Sequence, residues 1–142
     1  MKSLFKNKFF EVNVDMERKY AETIFFATTV DMSEEDYKAA MLKGVELFNL
    51  FAEDSINKAM DDYRNFFVVV TPDLQDWVAQ QTSQMKYTQQ MRVANIVSHD
   101  MIVNLAIEQT LEEAEKSNAA DFAIKYFDNP EEAQKWLFEG QS

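Results

Sequence analysis

Asp61, Asp62 and Arg64 stand together in the stretch M-D-D-Y-R-N-F-F-V-V-V-T-P-D-L-Q-D-W, Met60 to Trp77. Carboxylates beside a guanidinium can form a bidentate ion pair or receive an anionic group, and Thr71-Pro72 just downstream has the form of a helix start. Polar residues also follow two later apolar runs: Ser98, His99 and Asp100 after Met91 to Val97, and Asp128 with Asn129 after Asp121 to Phe127. In open α/β sheets, ligands lie outside the carboxyl ends of the parallel strands, so one sheet edge would collect all of these groups. Asp62, Arg64, Ser98, His99 and Asp128 are therefore the ligand-binding candidates. The competing reading is structural: Asp62 and Arg64 tie a strand end to its loop, while Ser98, Asp100 and Asn129 cap helices.

Several reaction classes drop out. Ser98-His99-Asp100 has the residue types of a hydrolytic triad, but neighbours at a helix start point about 100° apart and cannot form a relay of nucleophile, base and orienter. His99 is the only histidine, with no second histidine or E-x-x-H spacing to build a metal site around it. The two glycines, at 44 and 140, are too far apart for a phosphate-binding loop or a dinucleotide fingerprint. The absence of cysteine removes disulfides, thiolate zinc sites and thiol catalysis. No catalytic residue, metal or cofactor is expected.

A formal charge of −11 opposes both nucleic acid and anionic membrane surfaces. The sequence has no run of about 18 apolar residues and no secretory leader pattern, so membrane insertion is not expected and a cytoplasmic location fits. With 142 residues and 46% hydrophobic content, the expectation is one domain spanning 1–142 with a sizeable core.

The elements follow from periodicity. Phe10, Val12 and Val14 alternate with Glu11 and Asn13 as in a half-buried strand over Phe9 to Asp15, and Tyr20 to Val30 reads as its antiparallel partner. Ser33, with Asp36 three residues on, starts a helix whose stripe is Tyr37, Met41, Val45, Phe48 and Phe51. Gly44 within that stripe suggests a close backbone approach or a tolerated glycine. Ile56 to Tyr63 is a strand, Pro72 to about Gln90 a helix, and Met91 to Ser98 a strand covered on both faces. Asp100 to Lys116 is a helix, Asp121 to Phe127 a strand, and a last helix starts at Asn129-Pro130.

The spacing thus predicts an α/β fold: a small mixed five-stranded sheet, antiparallel in its N-terminal hairpin and then mostly parallel, flanked by four helices. Met101, Ile102, Val103, Leu105, Ala106 and Ile107 surround one half of the Asp100 helix, which makes Met101, Ile102 and Leu105 interface candidates for a homodimer or another protein. Eight methionines and twelve phenylalanines can fill a core or line a lipid-sized pocket.

The phrases K-N-K-F-F-E-V, M-D-D-Y-R-N-F-F with T-P-D-L-Q-D-W, I-E-Q-T-L-E-E-A and K-Y-F-D-N-P-E-E-A-Q-K-W-L together resemble a STAS-like bacterial family similar to the anti-sigma-factor antagonists. The resemblance spans residues 6 to 138 and implies a small mixed sheet flanked by helices, shared at a distance with CRAL-TRIO lipid carriers. It also implies a non-enzymatic regulatory module that works by protein interaction, with carriage of a small apolar or anionic ligand as the alternative. Antagonists of this kind are switched by phosphorylation of a serine at a helix N-terminus, in a D-S-x-G-like turn. Thr71 is the hydroxyl nearest that position, but Pro72 and Asp73 follow it and the glycine is absent. It is a phosphorylation candidate by position and an N-cap by chemistry.

Overall fold

The computed structural model describes residues 1–83, 85, 86, 88, 90–98 and 122–139. Its strands are β1 (Lys2–Lys6), β2 (Phe10–Asp15), β3 (Tyr20–Phe25), β4 (Lys58–Asp62), β5 (Met91–Ile96) and β6 (Phe122–Phe127). Its α-helices are α1 (Glu34–Glu53), α2 (Pro72–Thr82) and α3 (Pro130–Leu137), and a 3-10 turn covers Ala27–Asp31. The strands lie in chain order across one sheet, β1-β2-β3-β4-β5-β6. β1, β2 and β3 pair antiparallel, whereas β3 through β6 are parallel.

The mixed sheet matches the expected class, but it has six strands rather than five. The additional β1 is an edge strand, mostly exposed, with a register irregularity between Ser3 and Phe5. Three α-helices are present among the described residues; the helix expected over Asp100 to Lys116 lies outside them.

Successive strand residues point to opposite faces, which assigns each helix to a side. On one face Phe10, Val12, Val14 and Ala21 pack with Leu47 and Phe51 of α1, and Phe48 packs on Ala59, Met91 and Val93. On the other, Tyr20, Met60, Ala94 and Ile96 pack with Ala133 and Leu137 of α3. The Tyr20 hydroxyl lies 2.6 Å from Gln134 Nε2, so α3 is tied to the sheet by a buried polar contact as well as by apolar burial.

Local chemistry sets the boundaries. Ser33 and Asp36 form a reciprocal capping box at α1: Asp36 N–H donates to Ser33 Oγ at 3.0 Å, and Ser33 N–H to Asp36 Oδ2 at 3.1 Å. β3 stops at Phe25 instead of continuing to Val30. Thr29 draws the following turn inward, its hydroxyl donating to Asn65 O at 2.9 Å and accepting from Phe67 N at 3.0 Å.

The second helix ends at Thr82 rather than near Gln90. There the Ser83 hydroxyl donates to Gln80 O at 2.8 Å, satisfying a carbonyl that a further turn would have used, and the Thr82 hydroxyl bonds back to Val78 O at 3.0 Å within the last turn. At its other end Thr71 is the N-cap, Oγ1 accepting from Leu74 N at 3.3 Å, with Pro72 in the first turn. Thr71→Ala is expected to lower stability by about 1 kcal/mol and Thr71→Ser to leave it unchanged. Urea melts of the two variants check this, and equal effects would remove the cap.

Candidate functional site

The polar strand ends do share one edge. Asp62 is in register with Ile96, and Ile96 with Phe127, so Asp62, Ser98 and Asp128 line the carboxyl end of β4, β5 and β6. The groups there are engaged locally. Arg64 holds Asp62 bidentately, Nε to Oδ1 at 3.0 Å and NH2 to Oδ2 at 2.7 Å, and its own backbone N–H donates to Oδ1 at 3.1 Å. Burial pushes the Asp62 carboxyl up, but the Arg64 hydrogen bonds and charge outweigh it and hold the group below its ordinary value. Asp128 accepts from Asn129 Nδ2 at 3.2 Å, Asn129 caps α3 by accepting from Glu132 N at 2.9 Å, and Ser98 is exposed. His99, Met101, Ile102 and Leu105 lie outside the described residues.

The Asp62–Arg64 pair therefore closes a strand end. With 45% of the Arg64 side chain exposed, a double-mutant cycle on Asp62→Asn and Arg64→Ala should give a coupling of about 0.5–1 kcal/mol. Strict additivity in denaturant melts would show that the pair contributes nothing.

The neighbouring carboxylate has different surroundings. Because β4 alternates, Met60 and Asp62 face α3 while Ala59 and Asp61 face α1. Asp61 is in register with Thr23 on one side and Asn95 on the other, and Asn95 with Tyr126, which sets a polar row across four parallel strands. Parallel partners in register project to the same face, so the whole row belongs to the α1 side.

Next to that row lies a cavity of about 250 Å³ between α1 and the sheet. Its walls are apolar: Phe10, Val12 and Phe25 from the sheet, and Met41, Val45 and Phe48 from α1. The last three belong to the stripe that periodicity assigned to the core, yet they are only half-buried, because they border this space. Gly44 also lines it, and a Cβ built there meets nothing within 4 Å. The glycine thus marks open volume; the close backbone approach expected from sequence is absent. Phe25, Tyr63, Phe66 and Tyr37 form a ring cluster at one end, with Phe25 stacked on Tyr63 at 5.0 Å and Phe66 against Tyr63 at 5.5 Å.

Thr23, Asp61, Tyr37 and Tyr63 bring polar atoms to the lining. Burial pushes the Asp61 carboxyl up to about 6, offset in part by a hydrogen bond with Thr23. Burial, then the charge of Asp61, raises the Tyr63 phenol well above its ordinary value, and burial raises Tyr37. Asn95 Oδ1 is buried with no hydrogen-bond partner. An ionised carboxylate is an acceptor only, so a ligand whose polar end meets Asp61 must bring donors.

Among the described residues no group of three His, Cys, Asp or Glu comes together as a metal site, and no helix is long and apolar enough to cross a membrane. Sequence reasoning placed Asp61 at the sheet edge but advanced Asp62, whose charge partner is visible two residues away. The alternation of A-M-D-D-Y was the signal that could have separated the two carboxylates. Comparison of the chain with protein-family models, with curated proteins and with solved structures gives no match.

Proposed function

We propose that this domain is a non-enzymatic, STAS-like module that binds one small, mostly apolar molecule between α1 and the sheet, as a carrier or sensor. The observation that carries this reading is the cavity itself: α1 brings Met41, Val45 and Phe48 to the sheet, yet about 250 Å³ beneath them is unfilled. Protein interiors are close-packed, and voids much larger than a water molecule are few in each domain. The volume lies just under the ~300–1,000 Å³ of common ligand pockets, which favours a ligand of fragment size. A few polar atoms at the Asp61 end of an otherwise apolar lining suit a molecule with one polar terminus.

Isothermal titration calorimetry with octanol tests the proposal. One-to-one binding is expected, with a negative heat-capacity change from apolar burial. Absence of binding heat at two well-separated temperatures would contradict it. Regulatory association with another protein is the second reading, favoured by the exposure of Val30, Phe67 and Val69, with Val69 87% exposed. All three border a second depression, together with Thr29 and Leu74.

A further inference from the structure

We infer that the ligand of the α1 cavity is an organic ammonium ion, an amine on a short apolar body, whose head is received by Asp61. The inference rests on the ligand-binding reading above and adds the chemistry of the head group.

Charge is the first argument. Among the described residues no lysine or arginine lines the cavity, and none of their ion pairs includes Asp61. Asp61 is half-buried, and a carboxylate partly withdrawn from water is stabilised by a compensating charge or by hydrogen bonds, of which Thr23 supplies one. A fatty acid or a phosphorylated ligand would add a second negative charge to a lining that has no cation among the described residues. An ammonium supplies the missing positive charge and up to three N–H donors.

Geometry is the second. Asp61 lines the cavity beside Thr23, its register partner on β3, so an otherwise apolar space ends on a carboxylate. The aromatic cluster provides the third argument. Phe25, Tyr63 and Phe66 present rings beside Asp61, and ring faces attract cations, most strongly when water is excluded. The formal charge of −11 also raises the local concentration of cationic molecules.

The experiment compares octylamine, octanol and octanoate, which share an apolar body and differ in the head, by calorimetry near neutral pH on the wild type, Asp61→Asn and Asn95→Ala. In the wild type octylamine should bind at least about tenfold tighter than octanol, since hydrogen bonds to charged groups are the stronger class. Octanoate should bind weakest. Asp61→Asn should erase the preference for the amine while retaining octanol binding, which also reports that the variant is folded. Asn95→Ala, on the next strand but outside the cavity lining, is the control and should keep the preference for octylamine. Octanol or octanoate binding the wild type as tightly as octylamine would overturn the ammonium inference and leave the ligand-binding proposal standing. An amine preference that survives Asp61→Asn would overturn the role of Asp61. No binding by any of the three would overturn both.

Discussion

Asp61→Asn is expected to raise the stability of the protein near neutral pH by roughly 1–3 kcal/mol, although it changes only one atom of the side chain. The cause is a carboxyl group held beside apolar walls with one hydrogen bond, which burial pushes up to about 6. A carboxyl that binds its proton more tightly in the folded than in the unfolded chain makes folding less favourable once it ionises. That cost is absent at pH values below the unfolded carboxyl value, grows between there and about 6, and is fully present above 6. Asparagine keeps the shape and stays neutral throughout. Urea denaturation of wild type and variant at about pH 4 and again near neutrality reads the difference. The two should nearly coincide in acid and separate as pH rises. A variant less stable than the wild type at neutral pH would show that Asp61 is compensated within the fold.

Gly44→Leu should abolish octanol binding and at the same time stabilise the empty protein. Glycine inside a helix costs about 1 kcal/mol relative to a good helix former, and leucine is one. A Cβ at this position meets nothing within 4 Å, so the side chain can grow into the cavity and bury its apolar surface there. Together these effects should add about 1–3 kcal/mol. Gain of stability with loss of binding is the pattern expected where a fold keeps open space for a ligand. If the space were instead closed by packing in solution, leucine would overfill it and destabilise by about 1–3 kcal/mol. Calorimetry and thermal melts on the one variant separate these outcomes.

The fold was legible where burial and periodicity coincide. Phe10, Val12 and Val14 alternate because one face of β2 is covered by α1 and the intervening residues are only half-buried, and the β3–β5 order follows from strands separated by helices. β1 was not legible, since K-S-L-F-K lies at the sheet edge and only Phe5 is partly buried, leaving no pattern to read. The strand edge carrying Asp62 and Arg64 was found because opposite charges two residues apart signal a pair within the sequence itself.

The cavity was out of reach for a different reason. Met41, Val45 and Phe48 have the spacing of core residues whether or not the sheet meets them, and only the distance between α1 and the strands decides it. Gly44 was singled out for a close backbone approach or as a tolerated glycine, and the approach is absent, because a glycine that admits a neighbour and a glycine that leaves room look the same in one sequence.

The central claim is that the space between α1 and the sheet is a binding site, and nuclear magnetic resonance locates a ligand most directly. In a titration of isotope-labelled protein with octanol, the signals of Val12, Gly44, Val45 and Leu47, which line the cavity, should move together and saturate. Those of Ala133 and Leu137, on the opposite face of the sheet, should stay in place. Saturable shifts confined to the α3 face, or no saturable shift at all, would contradict the claim.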